Sequence, residues 1–435
     1  MHHSYEGLDR EGGTTHAGLL RPLRNRDFRL LWSGMCISLL GDGAFIVALA
    51  WQVYQLSDGP TAMGMVGIAM TVPTIAFLLV GGVVSDRWNR RHVMIAADLA
   101  RLSAAAVMAI LGLSGALELW HVAVLVAVYG AGQAFFAPAF DAIVPDLVPR
   151  EALGQANALD QLVRPIALRM AGPALGGVLV GAFGASAVFA LDAVSFGASA
   201  IALMLMRTAV TGAPRKAGGS VLADLRDGWR FVRERRWLWV TFASAAVAYL
   251  MFMGPVEVLV PYIVKHDLHA SASDLGLILG AGGLASILTA AIVGRHRLAG
   301  RNLTFMYLAW TAATIAVAGY GIGTATWHLM LASAAFNALE TAGTIVWATA
   351  KQAHVPSRML GRVSSLDWLI SIGLLPLSFA LTGQASELIG AQNTLVIAGA
   401  VGAAVTLAAM FVPGVRWPND ARSPVATTTA GAAPA

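Results

Sequence analysis

Gly81-Gly82-Val83-Val84-Ser85-Asp86-Arg87-Trp88-Asn89-Arg90-Arg91 stands between two apolar runs, each long enough to cross a bilayer as a helix. A short cationic turn with one acid, sealed between such runs, belongs to a polytopic membrane protein, because cytoplasmic turns gather arginine. Composition agrees: 57% of residues are hydrophobic and 12% charged, with a mean hydropathy of +0.68. A soluble chain of 435 residues could not cover so large a core with so little polar surface. The basic excess, 29 against 24, sits in short loops rather than along one face, so no nucleic-acid partner is expected. Cys36 is the single cysteine, which excludes an intrachain disulfide or a Cys-based metal site.

A spanning helix needs about 20 apolar residues. That rule predicts an all-α membrane protein with twelve spans, at 29–54, 61–84, 92–115, 120–144, 158–182, 186–207, 238–264, 273–294, 302–323, 328–350, 363–384 and 390–412. The longest polar break divides them six and six. The expected units are a polar segment 1–27, a six-helix bundle 28–208, a central loop 209–237, a second bundle 238–412 and a disordered tail 413–435. Residues 1–27 show no cleavable signal, so the first run reads as a retained span. Leu222, Leu225, Trp229 and Val232 recur at helical spacing among arginines, which predicts an interfacial amphipathic helix in the central loop.

Arg21, Arg24, Arg26, Arg29, Arg87, Arg90, Arg91, Arg295, Arg297, Arg301, Lys351, Arg358, Arg362 and Arg416 fall on one side, and only Lys265 on the other. This places both termini in the cytoplasm of a plasma or inner membrane. Trp51, Tyr54, Trp120, Tyr262 and Trp327 are then expected as an outer aromatic belt. Val148–Asp160 aligns without gaps to Val355–Asp367, with six of thirteen positions identical. One copy precedes span 5 and the other span 11, as a duplicated six-helix unit requires.

The opening stretch, the span count and the repeat resemble the major facilitator superfamily, whose signature loop joins its second and third spans. Gly81, Gly82, Asp86, Arg87, Arg90 and Arg91 occupy the pattern. The resemblance implies two pseudo-symmetric six-helix bundles, and it sets Asp86 against the start of span 11, where Ser364 and free backbone N–H groups are available. Such a contact would latch the halves on the cytoplasmic side. Arg91 is expected to pair with Asp146. Gly172, Pro173, Gly176 and Gly177 are similar to the span 5 motif of the antiporting exporters. Pro173 should bend that span, and the glycines should admit a neighbouring helix.

Intramembrane charge is expensive and usually functional. Asp98 with Arg101, and Asp160 with Arg164, are spaced to neutralise one another locally. Asp42, Arg169, Glu257 and Glu340 lie nearer mid-depth. In the family spans 1, 4, 7 and 10 line a central cavity, which implies that Asp42, Glu257 and Glu340 face a water-filled path and can carry a proton. Arg169, on span 5, is expected as their charge partner or as an anchor for an acidic substrate, so all four are candidates for proton coupling or substrate contact. Phe45, Phe135, Phe136, Met251, Phe252, Asn337 and Trp347 are candidate cavity walls, suited to large amphipathic ligands. His266-Asp267-His269 lacks a fourth ligand, and neither a phosphate-cradling loop nor a hydrolase motif occurs. No metal, no cofactor and no enzymatic activity are expected.

Over nearly its whole length the chain resembles the branch that includes macrolide efflux proteins and the enterobactin exporter. Asn25-Arg26-Asp27-Phe28-Arg29-Leu30-Leu31-Trp32, Leu40-Gly41-Asp42 and Phe135-Phe136-Ala137-Pro138-Ala139 carry that finer likeness. It implies a monomeric, proton-coupled exporter of drugs or amphipathic metabolites such as siderophores. An uptake permease and a non-transporting membrane sensor are the alternatives. Many proton-coupled relatives carry an arginine within span 4; this chain has none there.

Overall fold

The computed structural model describes residues 20–207, 221–295 and 303–415. Residues 1–19, part of the central loop (208–220), 296–302 and the tail from 416 lie outside the described residues, as do the surroundings of Gly82 and the side chains of Asp86 and Arg87. Twelve apolar helices follow one another. They are α1 Arg26–Leu56, α2 Pro60–Arg87, α3 Arg90–Leu113, α4 Leu119–Leu147, α5 Leu153–Phe183, α6 Ala185–Leu205 and α7 Arg236–Asp267. Then come α8 Ala272–Arg295, α9 Leu303–Ile322, α10 Thr326–His354, α11 Met359–Ile389 and α12 Ala391–Met410. No strand occurs among the described residues.

Several helices outrun the apolar stretch that predicts them. At 31 residues, α1 is about 46 Å long, well beyond the hydrocarbon layer, because polar caps extend it. Asn25 accepts from the N–H groups of Asp27 and Phe28 at 2.9 and 3.0 Å. Its amide also donates to Leu147 O at 2.8 Å, tying the start of α1 to the end of α4. Gly184 and Gly390, at φ 81° and 84°, make the same left-handed corner before α6 and α12, a conformation only glycine adopts freely.

The expected bend at Pro173 is a widened π turn over Ile166–Ala171, after which the helix restarts at Gly172. The matching helix α11 breaks at Leu374, before Leu375–Ile389. In the central loop a helix spans Val221–Arg233. It docks on α11, with Arg362 3.1 Å from Asp227, through Gly228 and Val232. Trp229, expected on its apolar face, is exposed instead.

Helices α1–α6 and α7–α12 pack as two bundles that meet at the end remote from the signature loop. There Tyr54 donates to Val258 O at 2.6 Å, Lys265 donates to Tyr54 O, and Thr61 donates to Glu387. Gly64 and Gly67 of α2 rest against Phe379 of α11, and Gly177 of α5 against Gly276 of α8. At the other end α11 leans on the Val221–Arg233 helix. Tyr54 and Tyr262 therefore depart from the expected aromatic belt. Tyr54 is 1% exposed and packs on Tyr262 across the seam. Trp120 and Trp327 are exposed, as a belt requires.

Candidate functional site

Inside the first bundle, buried charge converges from four helices. Arg101 of α3 lies 2.6 Å from Asp98 on the same helix and 3.8 Å from Asp42 of α1. Its guanidinium is held between the rings of Phe136 and Phe196, at 4.7 and 4.3 Å. The Tyr129 hydroxyl of α4 donates to Asp42 and stands 3.2 Å from Asp192 of α6. Ser195 donates to the other Asp192 oxygen at 3.3 Å. Glycines permit the approach: a Cβ on Gly41 would sit 2.4 Å from Asp192 Oδ1, and one on Gly132 2.8 Å from Arg101 Cγ.

Three carboxylates thus surround one guanidinium, with Arg164 of α5 acting on Asp42 from farther away. Tyr129 has one hydroxyl proton for two carboxylates. Leaving any of these charges unpaired in so apolar an interior would be costly, which holds the network together.

This geometry corrects three expectations. Asp42 points into the first bundle rather than onto the wall between the halves, because its face of α1 turns towards α3, α4 and α6. Asp98 and Arg101 do pair locally, yet Arg101 also reaches Asp42. Phe45 stacks on Tyr129 at 4.4 Å, and Phe136 lies under Arg101, so both are interior packing rather than cavity wall. Tyr129 and Asp192 carry no known motif; their signal was polarity in otherwise apolar spans.

Arg169 and Glu257 occupy the space between the bundles. Arg169 projects from the π turn of α5, both side chains are exposed at mid-helix, and the Arg169 charge acts on Glu257 and Tyr249. Glu340 of α10 accepts from Thr344 at 2.8 Å and borders a small recess of about 30 Å³, room for a water or two, in the second bundle, with Tyr249, Phe252, Trp310 and Phe336. Met251 is half-buried, and Phe135 packs on Phe77 at 5.9 Å. Asn337 is taken up by Ser333 O at 2.9 Å. Trp347 donates to Asp367 at 3.0 Å, a carboxylate also paired with Lys351. Gly172 and Gly176 receive α1 at Gly43 and Ala44. Among the described residues no group of His, Cys, Asp or Glu is arranged to hold a metal.

At the signature loop, Gly81 lets α2 approach Ala134 of α4. Arg90, rather than the expected Arg91, pairs with Asp146 at 2.6 Å. Arg91 instead donates to Met204 O of α6 at 2.5 Å. Asn89 caps α3 through the Arg91 N–H, and consecutive residues then point about 100° apart. Ser364 is half-buried on α11.

The model of a family described as transmembrane secretion effectors, within the major facilitator superfamily, matches residues 17–428. The chain belongs to that family. The transporter is 22% identical to macrolide efflux protein A of Streptococcus pyogenes over 89% of its own length and 96% of that protein's. It is 26% identical to the multidrug efflux pump Tap of Mycolicibacterium fortuitum, over 88% and 95%. Among solved structures it is similar to a bacterial homologue of the lysosomal transporter Spinster in an inward-facing conformation. That likeness has a TM-score of 0.65 and 15% identity, and covers 90% of the transporter and 97% of that chain. The protein is therefore a multi-pass membrane transporter of major facilitator fold with efflux-type relatives, not an enzyme.

Proposed function

We propose that the protein exports amphipathic organic compounds by alternating access, driven by protons, with both termini in the cytoplasm. The supporting observation is the pair of exposed mid-helix charges, Arg169 and Glu257, between halves joined at one end by the Gly177–Gly276 approach and the Tyr54, Lys265 and Thr61 hydrogen bonds. With the signature loop in the cytoplasm, the joined end would face outward, which suits a state that loads from the cytoplasm. Substrate would meet Arg169, Glu257 and Glu340. The proton would be carried by Asp42, Tyr129 and Asp192, away from the substrate path, and Arg101 would report its charge state to α3 and α1. Asp86 would re-engage the start of α11 when the cytoplasmic end closes.

Everted vesicles under a pH gradient test this reading. Wild-type vesicles should accumulate a macrolide or an amphipathic dye. Asp42→Asn and Asp192→Asn should each lower gradient-driven uptake at least about tenfold, while counterflow down a substrate gradient persists. Full gradient-driven uptake in both would sink proton coupling through this network. Asp86→Asn should slow transport while membrane insertion persists.

Topology has its own test. In a Cys36→Ser background, a membrane-impermeant maleimide applied to intact cells should label Asp58→Cys and spare Arg24→Cys; both positions are exposed. The reverse pattern would invert the proposed orientation and turn export into uptake.

A further inference from the structure

The internal repeat extends to the segments that lead into each bundle. Val148 aligns with Val355, an offset of 207 residues. The same offset carries Trp120-His121 onto Trp327-His328 and Trp32 onto Trp239. It also carries the Arg21–Arg24 turn before α1 onto residues 228–231, in the helix before α7. The two segments dock alike, the first on the start of α5 and the second on the start of α11. In the first copy Pro22 is buried and Leu23 half-buried. At the equivalent positions of the second stand Trp229 and Arg230, both exposed. Docking at this location therefore does not require an outward indole and cation; the second copy has added them.

Arg226, Trp229, Arg230 and Arg233 fall within about 100° of one another around the Val221–Arg233 helix. The docking face lies opposite. A Cβ on Gly228 would meet Arg362 and Leu366 of α11 at 3.1 and 3.3 Å, and Val232 is fully buried. The acids of the segment are engaged elsewhere, Asp227 with Arg362 at 3.1 Å and Glu234 with Arg235 at 3.6 Å. Among the described residues no ion pair includes Arg226, Arg230 or Arg233. Arg235 folds back to donate to Phe231 O at 3.0 Å, and α7 begins at the next residue, Arg236. The cationic face thus lies within a few residues of the point where the chain enters the bilayer. Trp239 of α7 and Trp368 of α11 are exposed as well, as indoles at headgroup level are. Unpaired guanidinium groups around an exposed indole at that level suit phosphate oxygens, with the ring seated at the acyl boundary. A zwitterionic headgroup brings no net charge to balance three arginines.

We propose that the Trp229 face of this helix is a binding surface for acidic phospholipid headgroups of the cytoplasmic leaflet. The leaflet it names rests on the orientation proposed above, but binding is measured without a gradient or a sided membrane. The probe is dioleoyl phosphatidylglycerol, offered with an equal amount of dioleoyl phosphatidylcholine to the purified full-length protein in detergent. Native mass spectrometry counts the lipids retained. The wild-type protein should retain phosphatidylglycerol preferentially. Arg226→Gln with Arg230→Gln should lower that preference at least about tenfold. Arg21→Gln with Arg24→Gln removes the same charge from the equivalent segment and should leave it within about twofold. Trp229→Ala should lower it at least about threefold, and Trp229→Phe should restore most of that loss. These side chains are exposed, so all four variants should melt with the wild type in lipid-free detergent. Equal retention of the two lipids by the wild type, or equal losses in the two arginine pairs, overturns the surface. Displacement of the retained lipid by soluble glycerol phosphate, or no effect of Trp229→Ala, overturns the lipid as its occupant and leaves a site for free phosphate groups. An inverted maleimide pattern, or lost gradient-driven uptake, would sink the orientation or the export reading and leave lipid retention standing.

Discussion

Replacing Arg101 with leucine is expected to remove about 3–5 kcal/mol of stability, the range for breaking a buried ion pair by deleting one partner. The guanidinium is 3% exposed and touches Asp98 and Asp42 at 2.6 and 3.8 Å. Without it, Asp98, completely buried, keeps no cation in contact, and the Phe136 and Phe196 rings lose what they enclose. Thermal melting in detergent is the measurement, and a fall of several degrees is expected. Arg101→Lys restores the charge but neither the fork nor the stacking between rings, so it should recover only part of the loss. The double variant Asp98→Asn with Arg101→Leu should melt above Arg101→Leu alone, since it deletes one stranded acid. Equal melting of wild type and Arg101→Leu, within about two degrees, would show that the interior charges are held by water instead.

Sequence reasoning reached the fold because a bilayer imposes it: each span must satisfy its own backbone, so twelve apolar runs become twelve helices. It also found the Asp160–Arg164 pair, 2.8 Å apart, because i,i+4 spacing is local. Direction around a helix was the missing quantity. Asp42 is at the depth expected of it, but α1 is apolar on every side, so no periodicity tells which face meets α4 and which meets the other bundle. Depth alone therefore grouped Asp42 with Glu257, whereas the structure groups it with Tyr129 and Asp192. The one-residue difference between Arg90 and Arg91 has the same origin. Which helices of the two bundles meet is likewise a property of tertiary packing that no local spacing encodes.

The offset of 207 residues is a different matter, since it was legible over thirteen residues and went further. Its physical content is that helices in equivalent positions present equivalent residues to equivalent interiors, so a substitution in one copy exposes what the other has kept. Tyr249 opposite Asp42 and Phe336 opposite Tyr129 are such substitutions, and together they put packed aromatic rings where the first bundle has an ionic core.

Gly276→Leu is expected to abolish sealing at the far end without unfolding either bundle. A Cβ on Gly276 would lie 2.6 Å from Pro173 O and 2.9 Å from Gly177 Cα, while one on Gly177 would lie 2.6 Å from Ala272 O. These are backbone neighbours, so no side chain can rotate aside, and α5 and α8 must separate. The contact joins the two halves, so separation biases the equilibrium between access states rather than the fold of either one. A bias of about 1.4 kcal/mol suffices for a tenfold change in population. In a Cys36→Ser background, Ala272→Cys lies at the seam, 1% exposed. Its maleimide labelling should accelerate at least about tenfold when Gly276→Leu is added, and gradient-driven export should fall by a similar factor. Gly176→Leu is the contrast. Its Cβ would sit 2.6 Å from Ala44 Cα within the first bundle, so it should lower the melting temperature rather than open the seam. Unchanged labelling of Ala272→Cys in folded Gly276→Leu protein would mean that α5 and α8 do not close the far end, and that Tyr54, Lys265 and the Thr61–Glu387 contact seal it alone.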